Sequence, residues 1–351
     1  MPNQPEDAGS GTQGGEMRTG NMFGPDATFV GVPAADLDDP ASYADAAVVI
    51  IGAPFDAGTS HRPGSRFGPY AIRTTDYLPH DGERPHLALG VDPLAALHVV
   101  DVGDVVMPSV DTDGSLARLE AAVGRIAESG AIPLVLGGDH TIAWPDATGV
   151  ARHVGWGRLS MVHFDAHADT GNTQFGSLTG HGTPMRRLIE SGAVRGDRFL
   201  QIGLRGYWPE PATLDWMAGQ HMRSYEMTEV VERGLDVCLS EAFALATDEC
   251  DGVFLSVDVD VVDPGSAPGT GTPEPGGLSP RQLLDAVRRV AMELPLAGID
   301  IVEVAPPYDH AEVTAYLANR VALEVMSGLA WRRARDAGAD VRLPGAPLLD
   351  R

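Results

Sequence analysis

The chain has 351 residues, 43% of them apolar, enough for a substantial core without disulfide staples. Its 25 basic residues stand against 49 acidic ones, and the formal charge of −24 repels phosphate backbones and anionic lipid surfaces. Nucleic acid is therefore excluded as a partner, and so is a membrane, since no apolar run reaches the roughly 20 residues a span needs. Two cysteines, Cys238 and Cys250, are too few for a disulfide framework and lack the spacing of a thiolate metal site. The N-terminal stretch has neither the basic start nor the apolar centre of an export signal, so a cytoplasmic location is expected.

In chain order, residues 1–27 mix Gly, Pro, Gln and acidic residues without apolar periodicity and read as a mobile tail. Residues 336–351, with Pro344, Pro347 and several glycines, read as a flexible C-terminal tail. Between the tails no linker, charge block or repeat interrupts the pattern, so a single domain over about residues 40–335 is expected. Six β-branched runs lie within it: AVVIIGAPF, IPLVLGGDH, LSMVHFDAH, RFLQIGLRG, GVFLSVDVD and GIDIVEVAP. Each predicts a strand apolar on both faces, as in a parallel sheet between helical layers. Helical patterns alternate with them. In SLARLEAAVGRIAESG, Leu116, Leu119, Val123 and Ile126 recur at helical spacing, with Ser115 placed as the N-cap and Gly130 as the stop. A second helix is predicted from Ser279 to Leu294, with Ser279 and Gln282 forming a capping box and Pro280 in the first turn. This alternation predicts the α/β class, a three-layer α/β/α sandwich on a parallel sheet.

In such sheets chemistry sits beyond the carboxyl ends of the strands. Three of the predicted strands end in polar clusters: Gly137-Gly138-Asp139-His140, Asp165-Ala166-His167-Ala168-Asp169, and Asp258-Val259-Asp260. Alternation along a strand puts Asp165, His167 and Asp169 on one side, and likewise Asp258 with Asp260. Two carboxylates about 4 Å apart repel by roughly 4 kcal/mol even at an effective dielectric of 20, so converging aspartates require counter-cations. Four aspartates and two neutral imidazoles balance two divalent ions. Hard oxygen ligands with one imidazole per ion suit Mn²⁺, with Ni²⁺ or Co²⁺ as alternatives.

The segments GGDHT (137–141), HFDAHAD (163–169) and SVDVDVVDP (256–264) resemble the signature motifs of the ureohydrolase family of arginases, agmatinases and related amidinohydrolases. The likeness runs through PGTGTPEPGGLS (268–279) and IVEVAPPYD (301–309), and GAPFDAGTSHRPGSRFGP (52–69) resembles the agmatinase branch. It implies an eight-stranded sheet, assembly as trimers or hexamers, and two Mn²⁺ per subunit. By the same likeness His140 and Asp169 hold one ion, His167 and Asp260 the other, and Asp165 and Asp258 bridge them. Glu303 then grips a substrate guanidinium, and His181 shuttles a proton.

These roles describe hydrolysis of a small guanidino compound to urea and an amine by metal-activated water. Agmatine is the expected substrate, with guanidinobutyrate, guanidinopropionate and guanidine as alternatives. The loop Thr170–Gly180 does not match the one with which arginases read an amino acid. A non-catalytic metal-binding subunit is the alternative from another class, and it would have no use for Glu303 or His181. Among neighbouring residues, His163 is expected to be buried and hydrogen-bonded, and Asp139 and Asp263 to serve as supporting or turn residues. His61 is expected in a solvated loop, and Tyr207 with Trp208 either walls the pocket or packs elsewhere.

Overall fold

Val48 and Ile50 leave the first strand on one side and Val49 and Ile51 on the other, and all four are wholly buried, so this strand needs apolar cover on both faces. The computed structural model, which describes residues 26–81 and 83–348, supplies that cover. Eight parallel strands form one sheet: β1 Val48–Gly52, β2 Val99–Asp104, β3 Ile132–Leu136, β4 Leu159–Phe164, β5 Val194–Leu204, β6 Arg223–Glu226, β7 Gly252–Asp258 and β8 Leu296–Val302. Their order across the sheet is β2-β1-β3-β8-β7-β4-β5-β6. Val49, Ile51, Val135 and Phe254 pack against helices Thr112–Glu128, Ala143–Val154 and Pro184–Ser191. Ile50, Leu134, Leu255 and Val257 pack against Leu235–Ala246, Pro280–Glu293 and Val313–Asp336. The α/β/α sandwich is thus a direct result of strands that are apolar on both sides.

The two strands that the six apolar runs leave out, β2 and β6, are the edges of the sheet. The last three residues of β2 are only half-buried, and β6 (RSYE) buries Tyr225 alone. An edge strand has one neighbour and less cover, so its sequence carries less of the apolar signal.

Of the N-tail expected over 1–27, all but the last two residues lie outside the described ones. At the other end, helix Val313–Asp336 is followed by irregular chain, which Trp331 ties down by donating from Nε1 to the Arg342 carbonyl at 2.7 Å. The capping box at Ser279 and Gln282 forms as predicted. The cap at Ser115 does not. Asp111 caps that helix instead, accepting from the Gly114 N–H at 3.1 Å, and Ser115 lies inside the first turn, wholly buried. Aspartate and serine are equally good caps, and the helix begins one turn earlier, at the first of the two. Asp111→Ala and Ser279→Ala should each lower stability by about 1 kcal/mol, read as a reduced urea midpoint with an unchanged slope.

Candidate active site

Four strands adjacent in space but scattered in sequence, β3, β8, β7 and β4, present their carboxyl ends side by side. Beyond β3 the chain passes so close to its neighbours that a Cβ on Gly138 would lie 1.8 Å from the Phe55 carbonyl oxygen, which requires glycine there. The next residues enter a short 3₁₀ turn, His140–Ile142, that leaves the His140 side chain wholly buried. Its Nδ1 faces Oδ2 of Asp165 at 3.0 Å, of Asp169 at 3.0 Å and of Asp258 at 3.3 Å, without a well-formed hydrogen bond to any of them. On the far side of Asp165, His167 Nδ1 lies 3.6 Å from Asp165 Oδ1 and 3.0 Å from Asp260 Oδ2. All six residues that the motifs singled out therefore converge on one place.

Strand alternation is not what brings these side chains together. β4 ends at Phe164, so Asp165, His167 and Asp169 stand in irregular chain, with Asp169 at a left-handed φ of +52°. Asp258 is the last residue of β7, and Asp260 sits in a 3₁₀ turn that the Asp258 carboxylate caps at 2.8 Å. Backbone N–H groups hold the rest: His167 N donates to Asp165 at 2.6 Å and Ala166 N to Asp260 at 3.1 Å.

Around these six lies a supporting layer, in which His163, Asp139 and Asp263 stand as expected while Gln201 and Ser256 were not singled out by the sequence. His163 is wholly buried, with Nε2 2.8 Å from Asp165 Oδ2 and Gln201 beside Nδ1 at 3.2 Å. Donor atoms of His140, His163 and Asp165 lie within 4.8 Å of one another, as do those of Asp165, His167 and Asp260, so two donor groups share Asp165. Ser256 Oγ, 2.9 Å from His140 Nε2, fixes that ring from behind. Asp263 is a turn residue, accepting from Gly265 and Gly276. Asp139 is buried and accepts from the N–H groups of Gly58 and Thr141 at 2.8 and 3.0 Å.

Charge explains what such a cluster demands. The sequence has no lysine. Among the described residues, the only ion-pair partners of the four aspartates are histidines. Burial depresses His140 and His167, yet the carboxylates around them outweigh it, holding His140 well above the usual histidine range and pushing His167 up to about 12. Asp258 is driven well above the carboxylate range by burial and then by Asp260 and Asp165. This donor set, oxygen-rich, buried and strongly negative, fits divalent cations.

Glu303 follows β8 at a φ of +65° and is 1% exposed. Its Oε1 accepts from His140 N at 2.9 Å and lies 2.9 Å from His181 Nδ1, while Oε2 is buried and unpartnered. Burial lowers the His181 pKa, but the Glu303 carboxylate outweighs it and pushes the ring up to about 9. A cavity of about 390 Å³ opens over these groups, lined by Asp169, Asp258, His167, His181 and Glu303 at its floor, with Ser60, Thr173, Gln174, Phe175, Trp208 and Thr272 around it. Trp208 thus faces the pocket, whereas Tyr207 is fully exposed outside the lining and His61 is an exposed loop residue. Ser60 was overlooked beside the more conspicuous His61, although its position in GTSHRPG was the available signal. In Glu303→Gln the His181 pKa should fall from about 9 towards ~6.5, as followed by NMR titration of the ring.

Three comparisons bear on this site. The model of the arginase family matches residues 46–328. The mitochondrial agmatinase of Gallus gallus is 39% identical over 279 residues, covering 79% of each chain, and the guanidinobutyrase of Pseudomonas aeruginosa is 36% identical over 307 residues, covering 87% of this chain and 92% of that one. The solved structure of proclavaminate amidinohydrolase from Streptomyces clavuligerus superimposes with a TM-score of 0.76 at 34% identity, covering 88% of this chain and 99% of that one.

Proposed function

The chain belongs to the arginase family, and from that premise we propose that it hydrolyses agmatine to putrescine and urea with two Mn²⁺ ions per subunit. Relatives that include a proclavaminate amidinohydrolase, a guanidinobutyrase and an agmatinase support amidinohydrolysis of a guanidino compound; the metal pair and the substrate are our reading. His140 and Asp169 would hold one ion, His167 and Asp260 the other, with Asp165 and Asp258 between them. When bound, such ions supply Lewis-acid activation of water near neutral pH.

The chain's own groups do the rest. Glu303 Oε1 is already occupied by His140 N and His181, which leaves the unpartnered Oε2 to accept a guanidinium N–H. That buried oxygen, aimed and without a donor, is the observation that carries the reading. Holding the planar cation there orients its carbon over the aspartate cluster. Release of the amine requires a proton, and His181, ion-paired with Glu303, stores one.

Agmatine is favoured over guanidino acids because, among the described residues, the cavity lining holds no arginine to meet a carboxylate tail, while Trp208 and Phe175 place aromatic rings where an alkylammonium could rest. No described helix is long and apolar enough to cross a membrane; a cytoplasmic enzyme assembled as a trimer or hexamer completes the proposal.

Elemental analysis of manganese-loaded protein should find two ions per chain, and His140→Asn should lower that number. Urea release should be faster from agmatine than from 4-guanidinobutyrate, 3-guanidinopropionate, arginine or guanidine; uptake of fewer than two ions, or full activity after chelation, would falsify the metal reading. Glu303→Gln should reduce kcat/KM by about 100-fold or more while metal content stays at two.

A further inference from the structure

His181 cannot hand a proton directly to anything in the cavity, because both of its ring nitrogens are engaged. Nδ1 meets Glu303 Oε1 at 2.9 Å, and Nε2 meets Ser60 Oγ at 2.6 Å with the Ser60 N–H also directed at it from 3.1 Å. His181 and Glu303 are buried, whereas Ser60 is exposed and lines the cavity. The chain Glu303–His181–Ser60 therefore has one end open to substrate, and that end is a hydroxyl.

The segment carrying Ser60 is clamped from several directions. Asp139 accepts from Gly58 N at 2.8 Å and from Thr59 Oγ1 at 3.3 Å, and the Gly58 carbonyl accepts from His181 N at 3.1 Å and from Gln174 Nε2 at 2.8 Å. Gly58 itself has no room for a side chain, since a Cβ there would fall 2.0 Å from Thr141 Oγ1. Such bracing matches a group whose distance to its partner matters.

Building on the amidinohydrolase reading above, we propose that the Ser60 hydroxyl is the catalytic proton donor to the departing amine, recharged by His181. As the C–N bond breaks and its electron pair passes to the amine nitrogen, the hydroxyl proton moves to that nitrogen and the Nε2 proton moves to Oγ. His181 is left neutral, with Nε2 accepting from the Ser60 N–H and Nδ1–H still donating to Glu303. After the products leave, a proton taken up from bulk solvent passes through the same hydroxyl to Nε2, which returns both groups to their starting state.

The test compares wild type, Ser60→Ala and Ser60→Thr, each manganese-loaded with metal content measured, on agmatine and on its oxyguanidine analogue, whose alkoxyamine leaving group needs little protonation. Ser60→Ala should lower kcat on agmatine by about 10- to 100-fold with a smaller change in KM, lose far less on the oxyguanidine, and be largely rescued by Ser60→Thr. Equal losses on the two substrates, or no loss on agmatine, would overturn the proposal alone. No urea from wild type with any guanidine overturns the amidinohydrolase reading and this proposal together.

Discussion

The structure turns on an electrostatic demand: four aspartates and a glutamate, all but one of them 2% exposed or less, are gathered where, among the described residues, their only ion-pair partners are histidines. Unpaired buried carboxylates cost several kcal/mol each, and removing them from water is repaid only by opposite charge at close range. The imidazoles respond by rising in pKa, which shows how strongly the cluster seeks positive charge. The dications and the guanidinium proposed above would answer the same field.

That field is produced by topology. The sheet runs β3-β8-β7-β4 through its middle, so residues 140, 165, 258 and 303, far apart in the chain, end up at adjoining strand ends. The strands beneath are apolar on both faces and locked between two helical layers, which gives the polar cluster a rigid floor. Positive φ at Asp169 and Glu303 marks the points where the backbone takes a conformation unfavourable for a residue with a Cβ in order to aim a carboxylate. The cavity above is different in character, with neutral polar and aromatic walls over a charged floor. Reaction type is therefore written in the floor and substrate choice in the walls.

The α/β class, the six interior strands and the four aspartates and two histidines at the centre of the site were legible in the sequence, because each rests on local pattern: apolar runs for strands, and carboxylates and imidazoles at their ends. Glu303 and His181 were reached only through the resemblance to the ureohydrolases. Edge strands β2 and β6 were not legible, since exposure on one side removes the pattern that marks a strand. Nor was the choice between Asp111 and Ser115 as a cap, which depends on where a helix begins to find tertiary cover. The sequence by itself determined which groups are available. Only the tertiary structure decided that Glu303 Oε2 stands free while Oε1 is taken, that both nitrogens of His181 are occupied, and that Trp208 rather than Tyr207 faces the pocket. Residue type fixes what a side chain can bond, but which bond it makes depends on neighbours that are distant in the chain and adjacent in the fold.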